Sequence, residues 1–342
     1  MTDLTDQSDL CLRRPAAEAQ EVRKPTPMSE QERLRVVVAV LAFKRPHLLA
    51  DLLDDLAREV AAAPTAVPVV GACRIVIVDN DPDRSAAPIV ATAGGCVRYV
   101  FEPRPGLSAA RNRALDEARH DDVLVFIDDD ERPRPGWLGL MLRTYLDSAA
   151  SAVAGAVESR FDVEPEPWIV RGRFFQRRRP PTGTRIQTAA TNNLLLDIRR
   201  VHATGLRFDD RFALTGGEDT LFTRSLHRLG EPMVWCDEAV VVDLVPAARS
   251  TRRWVLMRAF SMGNSDSVVR IELSRRRWRR VTTRLRCVAH GSARMFVGSV
   301  MAAAGLARPS SAWNPRGLRM VQRGRGMCAG AFGHTYQEYG RA

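Results

Sequence analysis

The chain has 342 residues, 45% of them hydrophobic, which is enough for one large domain with an appendage or for two domains. Its net charge of +11 favours an anionic partner, whether a small molecule, nucleic acid or acidic lipid, and does not choose among them. Six scattered cysteines, none in a C-x-x-C pair, read as reduced thiols of a cytosolic protein and argue against a disulfide framework.

Residues 1–33 are polar, punctuated by proline and aperiodic. They predict a disordered leader without the sustained apolar core of a signal peptide or membrane anchor. Residues 35–43 form a nearly continuous apolar run, read as a buried strand. After Lys44, Arg45 and Pro46, the residues Leu48, Leu49, Leu52, Leu53 and Leu56 recur at helical spacing. Residues 74–80 predict a second strand, ending in Asp79 and Asn80, and residues 97–101 a short third one. A loop over 102–108 leads into a helix expected at 109–118, and residues 123–127 are the fourth strand. Strands alternating with helices over this length predict an α/β fold, a doubly wound and mostly parallel sheet flanked by helices.

The fourth strand runs straight into Asp128, Asp129, Asp130 and Glu131. Open α/β sheets place their ligands past the carboxyl ends of strands. Four adjacent carboxylates repel one another and would destabilise an ordered turn unless something positive is bound there. A divalent cation carrying a diphosphate meets that need, since carboxylate oxygens suit Mg²⁺ or Mn²⁺. A solvated acidic turn with no ligand is the other reading.

Farther on, residues 137–145 predict an amphipathic helix and 152–157 another strand. Residues 161–184, rich in Pro, Arg, Trp and Phe, predict a long loop that covers a ligand or else a basic solvated linker. Residues 192–197 read as a strand. Gly216, Gly217, Glu218 and Asp219 open a helix whose apolar face is Leu221, Phe222, Leu226 and Leu229, and strands follow at 233–236 and 239–243.

These segments resemble, in order and spacing, the motifs of GT-A-fold, family 2 glycosyltransferases, inverting enzymes that use nucleotide-sugar donors. The resemblance rests on Leu41 to Pro46, Ile77 to Asn80, Gly106 to Asn112, Phe126 to Asp130, Gly216 to Phe222, and Val245 to Ser250 with Trp254, and covers roughly residues 34–265. It implies a nucleotide-sugar-binding half at 34–150, an acceptor and catalytic half at 151–248, and a basic helical extension at 249–342. It also implies a nucleotide-sugar donor held by Phe43, Arg45, Asp79, Gly106, Arg111, Asn112, Asp128 and Asp129. Asp130 is the implied ligand of Mn²⁺ or Mg²⁺, and Asp219 the implied base, with Glu218 beside it positioning substrate. Asp243 stands where many relatives place a histidine as a further metal ligand, and an aspartate is a competent hard donor there. The implied acceptor is a polysaccharide, cell-envelope or lipid-linked glycan.

Each residue has a plainer reading. Asp79 ends a strand and can close an Asx turn; Gly106 follows Pro105 and can be a turn glycine; Arg111 can pair with nearby acids at the surface. Glu218 and Asp219 suit a helix start by capping and dipole. The chain past Arg249 is basic and helical, with an arginine cluster at 275–280 before an apolar helix over 287–307. That helix is interrupted by His290 and Arg294, so it predicts no transmembrane span. Its basic flank and Trp278 suit the surface of an anionic membrane, at the inner face of the plasma membrane, or packing on the domain or a dimer partner. No RNA-binding signature is present, so no nucleic-acid partner is expected. A phosphohydrolase built on Asp128 and Asp130 is the alternative enzyme, disfavoured because that chemistry starts on a first strand. A non-catalytic, membrane-associated scaffold is disfavoured by the acids retained at both motifs.

Overall fold

The computed structural model describes residue 29 and residues 33–213, 215–274, 276–308 and 310–337. The leader expected at 1–33 therefore lies, but for residues 29 and 33, outside the described residues. Eight strands build one sheet: β1 (Leu34–Ala42), β2 (Val70–Asp79), β3 (Val97–Phe101), β4 (Val123–Asp128), β5 (Glu131–Pro133), β6 (Ala152–Phe161), β7 (Asn193–Asp197) and β8 (Met233–Val245). Their spatial order is β3-β2-β1-β4-β7-β6-β8-β5.

β1 lies between β2 and β4, parallel to both, and its side chains divide between two cores. Val36, Val38 and Val40 face α1 (Pro46–Ala66) and α4 (Trp137–Ser148), where Leu49, Leu52, Leu56, Trp137 and Met141 are buried. Val37, Ala39 and Leu41 face α3 (Leu107–Glu117), packing with Ala110, Ala114, Leu115, Phe208 and Phe222. Both faces being covered, the strand reads as an unbroken apolar run. The short helix α2 (Ala87–Ala91) links β2 to β3.

The second half departs from a purely parallel winding. β7 runs antiparallel to β4 and β6, and β5 antiparallel to β8. The two strands expected at 233–236 and 239–243 are one strand, β8, whose register against β6 slips between Gly155 and Ala156. Asn193 fills the gap that this bulge opens. Its Nδ2 donates to Ala156 O and Ala239 O, each at 2.9 Å, and its Oδ1 accepts from Trp137 Nε1 at 2.9 Å. A Cβ at Gly155 would lie 2.3 Å from Asn193 Nδ2, so this network admits no side chain there.

The loop expected over 161–184 contains the helix α5 (Pro167–Gly172), started by proline and too short for periodicity to reveal. α6 (Ile198–Thr204) follows β7, and α7 (Glu218–Arg228) precedes β8. Leu229, expected on the buried face of α7, is exposed just past its end. Beyond β8 come α8 (Arg252–Glu272), α9 (Arg277–Leu306) and α10 (Trp313–Ala331). α9 begins ten residues before the helix expected at 287, because Arg277 to Arg280 are themselves helical.

Candidate active site

The carboxyl ends of β1 and β4 meet, and the segments leaving them carry opposite charge. Phe43 N donates to Asp129 Oδ2 at 3.3 Å, and Arg45 Nη2 sits 3.3 Å from Asp129 Oδ1. Arg45 also pairs with Asp130 Oδ2, which takes a second guanidinium from Arg249 at 3.3 Å. The acids thus have cations of the chain's own, contrary to the expectation of a cluster needing a bound ion. The cause is long-range: β1 brings Arg45 alongside, and the 3₁₀ turn after β8 (Ala247–Arg249) brings Arg249.

β5 and β8 complete the centre. Their antiparallel register sets Glu131 opposite Asp243, and Leu244 N donates to Asp130 O at 3.1 Å. Two acids 112 positions apart in sequence are so joined through one ladder. Asp243 Oδ2 accepts from Arg177 Nη2 at 2.7 Å. The buried Glu131 accepts from Asn192 Nδ2 at 2.6 Å and from Asp128 N at 3.2 Å, which fixes the turn between β4 and β5. At the start of α4, Glu59 from α1 accepts from Gly136 N at 2.7 Å and Leu138 N at 2.9 Å, holding the chain as it leaves β5.

Burial and crowding raise the proton affinity of these carboxyls. Asp129 is pushed up to about 7, chiefly by burial and against the pull of Arg45. Asp128 rises to about 6 through enclosure and the neighbouring charge of Asp130. Glu131 and Asp243 are raised by burial, then by repulsion from Asp128 and Asp130 respectively. Mutual repulsion among hard oxygen donors is the condition that a divalent cation relieves, so the donor chemistry of Asp130 and Asp243 fits Mn²⁺ or Mg²⁺. Among the described residues, no three His, Cys, Asp or Glu side chains stand close enough together to hold a metal ion.

Arg111 on α3 links this centre to the start of α7. It is buried and pairs with the buried Glu218. Burial opposes its charge, and Glu218, Asp219 and Asp128 together keep it firmly protonated. Arg111 is therefore an interior cation and not a surface partner, and Glu218 is its partner. Asp219, half-buried at the first turn of α7, accepts from the Thr220 N–H and hydroxyl.

Three expected donor-binding residues serve the framework. Asp79 is fully buried, accepting from Asp81 N at 3.0 Å, Ala86 N at 3.0 Å and Tyr99 Oη at 3.1 Å, which is the Asx-turn reading with a tyrosine added. Asn112 spends its amide on residue 208, donating to Phe208 O at 2.8 Å and accepting from Phe208 N at 2.9 Å. Gly106 has φ +111°, and a Cβ there would lie 2.5 Å from Ala213 Cβ, so packing and backbone require glycine. Its N–H donates to Asn80 Oδ1 at 2.9 Å, while Asn80 Nδ2 donates to Glu102 O and Arg104 O. Asn80 therefore shapes the 102–106 loop, and together with Glu131, Arg177, Asn192 and Arg249 it was given no role by the sequence reading. Asn80 and Arg249 carried a signal, each lying within a matched segment, as did Glu131 in the acid run; Arg177 stands in the loop that was expected to cover a ligand.

The sequence matches the family described as Glycosyl transferase family 2 over residues 37–208. It is 31% identical over 238 residues to the succinoglycan biosynthesis protein ExoM of Rhizobium meliloti (strain 1021), covering 68% of this chain and 74% of that protein. The fold is similar to that of the mannosyltransferase PcManGT from Pyrobaculum calidifontis, solved with GDP-Man and Mn²⁺ (TM-score 0.53, 16% identity, 88% of this chain and 89% of that one). It is also similar to S. aureus TarS 1–349 in complex with UDP-GlcNAc (TM-score 0.51, 14% identity, 89% and 93%). With its curled, mostly parallel sheet and flanking helices, the chain belongs to glycosyltransferase family 2 and is a GT-A-fold, nucleotide-sugar-dependent glycosyltransferase.

Proposed function

We propose that this chain transfers a sugar from a nucleotide-sugar donor to a hydroxyl of a glycan acceptor, with inversion, by direct displacement assisted by Mn²⁺ or Mg²⁺. The observation that carries the reading is the β5–β8 register, which sets the Asp128 to Asp130 run beside Asp243, with Asp219 reached across Arg111. The GDP-Man and Mn²⁺ of PcManGT support a donor and cation of this kind, and the naming of ExoM for succinoglycan biosynthesis supports a polysaccharide or cell-envelope acceptor.

Asp130 and Asp243 would hold the cation, whose chemistry is Lewis-acid neutralisation of charge on the departing diphosphate. Arg45 and Arg249, now on Asp130, lie where guanidiniums can meet the donor's phosphate oxygens. Asp219 takes the proton of the acceptor hydroxyl as it attacks the sugar carbon opposite the leaving group. Glu218 holds Arg111, and the Arg111 guanidinium sets a positive charge between Asp219 and Asp128.

A thermal-shift panel of UDP-, GDP- and dTDP-sugars with and without Mn²⁺ tests the reading. One donor should raise the melting temperature only when metal is present. Stabilisation by a donor regardless of metal would remove the metal-assisted mechanism, and no stabilisation by any donor would remove the donor assignment.

A further inference from the structure

Between residues 273 and 337 the sequence holds thirteen arginines and no lysine, aspartate or glutamate. Those arginines exceed the net charge of the whole chain, +11, so the rest of the molecule is close to neutral. The basic character belongs to α9, α10 and their connections.

These helices pack by backbone contact. Gly291, Gly298 and Gly305 recur every seventh residue on α9, the first two facing Gly324 and Gly317 of α10 and the third facing Asn314. A Cβ at Gly298 would lie 2.7 Å from Gly317 O, and one at Gly324 would lie 2.5 Å from Gly291 O. α10 turns Gly326 and Gly330 to the other side, against Phe260 O and Asn264 O of α8. α10 is thus the middle layer and α9 the outermost.

Because α9 buries its glycines, its large apolar side chains point away from the protein. Leu285, Phe296 and Leu306 are 65%, 73% and 72% exposed, and Trp278, Val281 and Val300 are also exposed. An ordinary amphipathic helix of a globular domain does the reverse. Tryptophan stands at both ends of this surface, Trp278 beneath Arg279 at 5.3 Å and Trp313 beneath Arg308 at 5.8 Å. Among the described residues no helix is long and apolar enough to cross a membrane.

We propose that the outward face of α9 is a membrane-docking surface that lies in the headgroup region of an anionic bilayer, its apolar side chains inserted and its arginines on lipid phosphates. An apolar stripe bordered by cations, with tryptophan at its ends, matches that boundary in both polarity and charge. A second copy is a poorer occupant, because two acid-free arginine surfaces would face each other.

The full chain is tested by cosedimentation with phosphatidylcholine vesicles that contain or lack phosphatidylglycerol, a readout independent of donor and transferase activity. Wild type should partition onto the anionic vesicles and lose most of that binding at high salt. The triple variant Leu285→Glu, Phe296→Glu, Val300→Glu should bind at least about a hundredfold more weakly, with an unchanged melting temperature, because these side chains touch solvent. Binding that survives in the triple variant, or wild type that ignores anionic vesicles, would overturn the proposal. So would a dimer in solution that the triple variant splits while vesicles bind neither protein.

Discussion

The carboxyl ends of the sheet and the C-terminal hairpin are both crowded with charge, and they treat it in opposite ways. At the sheet the acids of the candidate centre draw arginines or an amide from distant elements: Arg45 and Arg249 for Asp130, Arg177 for Asp243, Asn192 for Glu131, Arg111 for Glu218. In the hairpin charge of one sign is gathered without acids, and the close packing is done by glycine. Charge neutralised internally makes a centre whose parts are poised against each other. Charge left unmatched beside an apolar face makes a surface that needs something else to complete it.

The strongest way to break this contrast is at Asp219. Asp219→Asn should lower single-turnover transfer by about 10²–10⁴-fold while donor affinity and melting temperature stay near wild type. An asparagine keeps its capping oxygen, so a merely structural Asp219 would leave the rate intact.

Next in size is the acid centre. Asp130→Ala should abolish metal-dependent nucleotide binding, seen by calorimetric titration with nucleoside diphosphate and Mn²⁺. In the same titration Asp243→Asn should weaken Mn²⁺ affinity by about tenfold, whereas Asp243→His should largely keep it. Equal affinities for wild type, Asn and His would reduce Asp243 to a strand acid paired with Arg177.

The hairpin is sharpened by a single methyl group. Gly298→Ala sets a Cβ against Gly317 O and should cost about 1–3 kcal/mol in denaturant unfolding, while Gly94→Ala, with nothing within 4 Å, should be silent. Equal stabilities would mean that the two helices are not held by backbone contact.

The smallest effect is a pH dependence at Asp129. Its folded pKa is raised from 3.8 to about 7, so the folded state binds the proton more tightly and this contribution to stability falls as pH rises from about 4 to about 7. Asp129→Asn removes the titration and keeps an acceptor for Phe43 N. Relative to wild type its melting temperature should gain a few degrees, roughly, between pH 5 and pH 8. A constant difference across that range would show that Arg45 compensates the charge fully.

The first half of the fold was legible because each of its signals is local. β1 and β4 are apolar runs covered on both faces, and their acids and basic residues follow at the strand ends. The α/β class, the charged residues at those ends and the helical tail all follow from such runs. What the chain hides is who pairs with whom: Arg45 with Asp130 spans 85 positions, Arg111 with Glu218 spans 107, and Arg249 with Asp130 spans 119. Asp79 and Asn112 were read as open to a ligand because nothing local announces Tyr99 or Phe208 as their partners. In the tail the first turns of α9 are dominated by arginine, and α10 is laced with glycine, a residue that argues against helix until its packing role is seen.

Arg45, Arg177 and Arg249 also decide how the acid centre fills. A divalent cation arriving alone would have to lift guanidiniums from Asp130 and Asp243 and then sit among the like charges it had displaced. A diphosphate arriving alone would meet the carboxylates. Were the two to arrive together, the carboxylates of Asp130 and Asp243 would hold the cation and the guanidiniums of Arg45, Arg177 and Arg249 the diphosphate, each offsetting the other's penalty. On the proposed metal-assisted reading the centre would be a coincidence detector, weak toward either component and strong toward the pair, and so indifferent to free metal ions and to stray phosphate until a complete donor presents itself.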